Sequence, residues 1–133
     1  SLLLYYNVMQ RQGIEYQLIL PDGDPEITVD PRLMRRGFVH LIRNAVEAMG
    51  DGGQLVIEVE VEPEQVSIAV RDSGVGIAEG DLERAMDPFY TTKTFGAGIG
   101  LALVKRIVRD HNGMLTIKKR LPRGTEAKIV LPL

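Results

Sequence analysis

Apolar residues at Phe38, Leu41, Ile42, Ala45, Val46 and Met49 recur at the spacing of one buried helical stripe. Asp30-Pro31 ahead of them supplies an N-cap acid and a proline at the first helical position, so a helix is predicted to start there. Gly50-Asp-Gly-Gly53 ends it, and the period then changes from helical to alternating. Gln54 to Glu62 sets Leu55, Ile57, Val59 and Val61 on one face and Glu58, Glu60 and Glu62 on the other. Pro63-Glu64 makes a turn, and Val66, Ile68 and Val70 repeat the pattern, which predicts a hairpin.

The flanking stretches extend this mixture. Leu2 to Met9 is expected to be a short docked helix or the tail of a longer one, ended by Gly13, with the domain proper running over residues 13–133. Ile14 to Leu20 alternates as a strand, stopped by the turn Pro21-Asp-Gly-Asp-Pro25, and Glu26 to Val29 is expected to form a short strand. A short helix is predicted near Glu79 to Met86, and a longer one from Ile99 to about Asp110, ended by Asn112-Gly113. Met114 to Lys119 and Thr125 to Leu131 read as strands around the turn Pro122-Arg-Gly124. Hairpins beside helices fit an α+β two-layer sandwich better than a doubly wound parallel sheet.

Composition narrows the function classes. At 133 residues the chain can bury one core, and 44% hydrophobic with 26% charged residues is ordinary for a globular protein. A formal charge of −2 argues against a general nucleic-acid binder, and the lack of cysteine excludes disulfides and thiolate metal sites. No apolar run reaches membrane-spanning length and no signal peptide is visible. The chain opens at Ser1, without Met, directly in an apolar pattern, and is expected to be a fragment of something longer.

The strongest candidate for chemistry is Asp87-Pro-Phe-Tyr-Thr-Thr-Lys-Thr-Phe-Gly-Ala-Gly-Ile-Gly-Leu101. Alternate glycines at Gly96, Gly98 and Gly100 let backbone N–H groups approach an anion, and a helix directly behind adds unpaired donors and a positive dipole end. The preceding segment, with two threonines and Lys93, reads as a mobile polar lid. Walker-type chemistry is excluded because Gly100 is followed by Leu101-Ala102 rather than Lys and Ser/Thr, and the G-x-G-x-G spacing does not match a dinucleotide fingerprint. On the first long helix, His40, Asn44 and Glu47 fall at i, i+4 and i+7; the face is either solvated or, through the Asn oxygen, a ligand for Mg²⁺. Asp72, at a strand end before Ser-Gly-Val-Gly, suits either an Asx turn or an acceptor for an exocyclic amine. His111 ends a helix, where a cationic imidazole favours the dipole, so its expected role is structural.

Taken in order, these pieces resemble the ATP-binding (catalytic) domain of sensor histidine kinases, within the gyrase, chaperone, kinase and mismatch-repair ATPase superfamily. The likeness runs from about Asp30 to Leu133. His40-Leu-Ile-Arg-Asn44-Ala-Val-Glu-Ala48 resembles the N box, Asp72-Ser-Gly74-Val-Gly76 the first glycine box, and Asp87-Pro-Phe-Tyr-Thr-Thr-Lys93 the F box. Gly96-Ala-Gly98-Ile-Gly100-Leu101 resembles the second glycine box and Gly124-Thr125 the closing Gly-Thr pair. Each motif is modest alone, whereas five in this order are very specific.

The resemblance implies a Bergerat sandwich, a mixed sheet backed by about three helices, with ATP between a helix and the lid. Asn44 would be the Mg²⁺ ligand and Asp72 the acceptor for the adenine amine. Gly74, Gly76, Ile77 and Thr125 would line the base. Gly98, Gly100 and the following helix N-terminus would hold the phosphates, with Ala48, Gly96, Ile99 and Leu101 completing the nucleotide contacts. Lys93 and Arg43 would add positive charge.

Gyrase-like and chaperone-like relatives carry a Glu at the position of His40, so this chain favours phosphoryl transfer over hydrolysis, with His40, Asn44 and Lys93 as the catalytic set. Glu47 stands where some subgroups carry Lys, and Met86 where the F box often has Phe. The Pro-Phe-Tyr-Thr-Thr-Lys form is most similar to the nitrogen-regulatory and oxygen-sensing subgroup. The implied phosphoacceptor is a His on a separate dimerising helical hairpin, which the Leu2–Met9 segment would join, and the implied downstream partner is a response regulator. The fragment itself is expected to be monomeric and unable to autophosphorylate alone. Its parent is expected to be a homodimer, either membrane-anchored or soluble, with this domain in the cytoplasm. A gyrase- or chaperone-like ATPase switch and an inactive nucleotide-sensing scaffold are the alternatives.

Overall fold

Asp30 does what its position before a proline predicts. Its side chain accepts hydrogen bonds from the N–H groups of Arg32 and Leu33, at 3.0 and 3.2 Å, and caps the helix α1 (Pro31–Ala48). A computed structural model describes residues 9–21, 29–50, 52–75 and 98–133, the last segment by its backbone alone at 98–100. Residues 9–12 are helical, and β1 (Ile14–Ile19) precedes α1. There follow β2 (Gly53–Val61), β3 (Gln65–Asp72), α2 (Gly98–Asp110), β4 (Met114–Lys119) and β5 (Thr125–Pro132).

The five strands form one mixed sheet in the order β1-β2-β3-β5-β4. β1 pairs parallel with β2, a geometry that requires a crossover, and α1 provides it. β2 and β3 form the predicted hairpin, with Ile57 opposite Val70 and Val59 opposite Ile68. β5 inserts between β3 and β4, setting Thr125 opposite Asp72 and Ile117 opposite Ala127. The architecture is the α+β layered sheet expected from the sequence.

Alternation in the strands and the helical stripe meet in one core. Leu55, Val66, Val70, Ala127, Ile129, Leu131 and Leu115 face Met34, Leu41, Ile42, Ala45 and Val46 of α1 and Leu101, Val104, Ile107 and Val108 of α2. Met9, 1% exposed, belongs to the same core. The far face of the sheet is polar: Arg71 donates to Glu126 at 2.9 Å and Glu58 at 2.8 Å, a bridge across β2, β3 and β5.

Some boundaries differ from expectation. Val61, placed on the inner face by alternation, is 42% exposed, although Val66 opposite it on β3 is buried. The described part of α2 opens at Gly98, one residue ahead of the expected Ile99, so Gly98 joins Gly100 within the helix. The expected helices over Leu2–Met9 and Glu79–Met86 and the strand Glu26–Val29 lie outside the described residues, apart from the buried Met9 and Val29, which is in no strand.

Candidate nucleotide site

Asp72 ends the central strand β3 on the helix-facing side and is 6% exposed. Its Oδ1 accepts the N–H of Gly74 at 2.9 Å, so the Asx turn is present, and the backbone N–H of Thr125 also favours its ionised form. A carboxylate has about four acceptor positions, so these two bonds leave capacity for another donor. Burial pushes the Asp72 carboxyl above its ordinary value; the N–H groups of Gly74 and Thr125 and the charge of Arg120 oppose that rise. A buried anion with spare lone pairs is a receptor for a donor group.

The backbone after Asp72 is drawn tightly onto α1. Val75 N–H donates to the carbonyl of Ala48 at 3.1 Å, and a Cβ on Gly74 would lie 2.7 Å from the Ala48 carbonyl carbon. Only glycine fits that approach. Ser73 fastens the turn to β2, donating its N–H to Gln54 O at 3.2 Å and accepting Gln54 N–H on its Oγ at 2.9 Å. Ala48, Asp72, Gly74 and Thr125 therefore come together at one end of the cleft between α1 and the sheet.

Asn44 lies one turn before Ala48. Its Nδ2 is buried and has no hydrogen-bond partner among the described residues, an arrangement that is destabilising unless a group beyond them completes it. The two amide atoms are interchangeable by a flip, so the orphan position offers a donor to phosphate or an oxygen to a cation. Among the described residues no group of three or more His, Cys, Asp or Glu side chains could hold a metal ion. An Mg²⁺ ion suits such a site nonetheless, because it keeps several waters and shares one or two protein ligands with substrate phosphates.

The helices bring the anion cradle to the same end. Asp30 N–H donates to His111 Nε2 at 2.9 Å, and a Cβ on Gly37 would lie 3.9 Å from both Val104 and Ile107, so α1 and α2 run antiparallel. Seven residues beyond Gly37, about 10 Å of helical rise, carry α1 to Asn44 while α2 returns to its N-terminal turn. The described part of α2 opens with that turn, at Gly98. Leu101 itself is buried in the core.

His40, a turn ahead of Asn44, is half-buried. Burial, with the charges of Arg36 and Arg43, lowers its imidazole below the ordinary value, so the ring is neutral at pH 7. Arg43 pairs with Glu47 at 3.0 Å on the exposed side of α1, which occupies Glu47 outside the cleft. His111 is structural, but not as a cation: its Nε2 accepts from Asp30 N–H and its Nδ1 must then donate to Ile107 O, 2.8 Å away. That pattern requires the neutral Nδ1–H tautomer.

Gly76, Ile77, Lys93 and Gly96 lie outside the described residues, as does the side chain of Ile99. Sequence reasoning passed over Arg120 and Arg123, which donate to the main-chain carbonyls of Asp72 at 2.7 Å and Gly74 at 3.0 Å. Neither sits in a recognisable motif, and only the strand order brings them to the site.

Comparison with known proteins places the chain in a family and matches its fold. The family described as histidine kinase-, DNA gyrase B-, and HSP90-like ATPase matches residues 29–133. Sporulation kinase E of Bacillus subtilis is 34% identical over 122 residues, covering 91% of this chain and 16% of that protein. The chain thus spans less than a fifth of that relative. The nucleotide-free catalytic domain of histidine kinase ThkA superposes with a TM-score of 0.90 at 27% identity, covering 98% of this chain and 87% of that one. ThkA in complex with the response regulator TrrA gives 0.84 at 25% identity, covering 98% and 37%. Full-length ShkA in complex with AMPPNP gives 0.85 at 26% identity, covering 97% and 27%.

Proposed function

The chain belongs to the histidine kinase-, DNA gyrase B- and HSP90-like ATPase family, and from that premise we propose that it binds Mg-ATP and donates the γ-phosphoryl group to a protein histidine. The observation that carries this reading is the buried Asp72 carboxylate, seated by Gly74 N–H and retaining acceptor capacity. Adenine presents a flat ring with one exocyclic amine. Asp72 accepts that amine, Gly74, Gly76 and Ile77 border the ring, and Thr125 lines its other edge. Ala48, Gly96, Ile99 and Leu101 complete the nucleotide's surroundings.

Asn44 would supply a side-chain ligand to the cation. When bound, Mg²⁺ neutralises charge on the phosphate oxygens. The N-terminal turn of α2, with Gly98 and Gly100, and Lys93 stabilise the charge that spreads over the transferring group. Arg43 contributes at longer range, being ion-paired with Glu47. His40 replaces the water-activating Glu of hydrolytic relatives, and that replacement favours phosphoryl transfer over hydrolysis. The acceptor is a His on a separate dimerising hairpin joined through residues 1–12, and a response regulator takes the phosphoryl group onward, as the pairing of ThkA with TrrA suggests by analogy. Neither histidine here suits the acceptor role: His40 lies within the N box, and both ring nitrogens of His111 are bonded.

Calorimetric titration of the chain with ATP, with and without Mg²⁺, tests the reading. Binding strengthened by Mg²⁺, without multiple-turnover phosphate release, is expected. Sustained turnover would instead favour an ATPase switch. Tight binding with no phosphohistidine in a longer form carrying the hairpin would favour a nucleotide-sensing scaffold.

A further inference from the structure

The β4–β5 connection does more than reverse the chain. Arg120 follows the last residue of β4, and its N–H donates to Gly124 O at 3.0 Å, extending the ladder by one rung. Gly124 has φ of 114°, and a Cβ there would collide with the main-chain oxygen of Asp72, so the connection lies directly on the end of β3. From this platform the half-buried Arg120 reaches across β5. Its Nη1 donates to that same Asp72 oxygen at 2.7 Å, while the more exposed Arg123 holds Gly74 O with its Nε at 3.0 Å. The two arginines thus grip the carbonyls on either side of Ser73, across the turn whose Asp72 carboxylate accepts Gly74 N–H.

We propose that Arg120 is a positioning residue for base recognition: by holding the main-chain carbonyl of Asp72, it fixes where that residue's carboxylate meets the amine of the nucleobase. The proposal rests on the assignment of Asp72 to adenine made above. A carboxylate that accepts from a ring amine must be held to within a few tenths of an ångström and about 20° to keep the bond's strength. The Asx turn fixes Asp72 relative to Gly74, and Ser73 ties the turn to β2 on one side. Arg120 adds the hold on the other side, reaching from the end of β4 across β5 to the Asp72 carbonyl. Its charge also lies close enough to favour the ionised carboxylate, the state that accepts rather than donates.

The test compares ATP with purine riboside triphosphate, which lacks only the exocyclic amine, by calorimetric titration in Mg²⁺. The ratio of the two dissociation constants isolates the amine contact. In the native chain ATP is expected to bind about tenfold or more tighter. Arg120→Gln should weaken ATP by roughly fivefold or more and leave the analogue within about twofold, collapsing the ratio. Arg120→Lys keeps a charge and one donor but not the planar reach, so its ratio should fall between the two. Parallel weakening of both nucleotides would reduce Arg120 to a general fold role and overturn the proposal, as would an unchanged ratio. Should circular dichroism find the Gln variant unfolded, an unchanged ratio in Arg120→Lys would be decisive against it. A native ratio near one would reject the Asp72–adenine assignment itself, a different failure from loss of the Arg120 effect alone.

Discussion

Replacing Asp72 by Asn separates what the buried carboxylate does for binding from what it does to the fold. Asn keeps an oxygen for Gly74 N–H but turns the other acceptor into a donor, aimed where the adenine amine also donates. Losing one hydrogen bond to a charged group, about 1.5–3 kcal/mol, weakens ATP by roughly tenfold to a hundredfold. The effect on stability follows a different sign. Burial raises the folded-state pKa of Asp72 above its ordinary value, so the folded protein holds the proton more tightly than the unfolded chain. The carboxylate's destabilising contribution is therefore absent below the unfolded pKa and grows as pH rises through the folded one. At pH 7 the Asn variant would be free of it, offset in part by a donor placed near Thr125 N–H. The melting temperature of Asp72→Asn should stay within a few degrees of native at pH 7, and the native chain should gain relative to the variant on acidification. Calorimetric titration together with scanning calorimetry from pH 7 down through the ordinary carboxylate range measures both. ATP affinity within threefold of native would refute the assignment; lost affinity accompanied by a large drop in melting temperature would point to unfolding instead.

Asn44→Ala should abolish the Mg²⁺ dependence of ATP affinity while leaving the nucleotide-free chain as stable or more so, since a buried amide nitrogen with no partner among the described residues is removed; titrations with and without Mg²⁺ and a melting curve check this. Gly74→Ala forces a Cβ against the Ala48 backbone and should destabilise the chain by about 2–4 kcal/mol in urea unfolding, because the obstruction is main chain and cannot rotate away. Asp30→Ala removes the cap on Arg32 and Leu33 and should lower stability by about 1 kcal/mol in the same assay, with ATP affinity unchanged because the cap lies at the opposite end of α1 from Asn44.

Local chemistry wrote most of the elements into the sequence. Asp30-Pro31 can begin a helix with no help from the rest of the chain, and the stripe through Leu41, Ile42, Ala45 and Val46 is buried as its period requires. The alternation from Leu55 to Val59 and from Val66 to Val70 set the hairpin and its inner face, because each needs only neighbouring residues and a turn. Asn44 and Asp72 stand out as candidates for a related reason, since a mid-helix Asn and a strand-end Asp before glycine are costly or odd unless used, whereas their assigned roles, and that of Gly74, rest on the family resemblance. Strand order carries no such local mark. That β1 lies parallel to β2, and that β5 separates β3 from β4, depend on which surfaces bury together, and those choices are made across the whole chain. The consequences followed suit. Arg71 reaching both Glu58 and Glu126, His111 used as a neutral link between two helices, and Arg120 seated on Asp72 from 48 residues away are all contacts between elements. The sequence by itself determined the elements and the residues with spare chemistry, because those follow from interactions over a few residues. Only the tertiary structure decided which of them share a cleft and what holds them there, since long-range pairing rests on burial and shape rather than on any pattern along the chain.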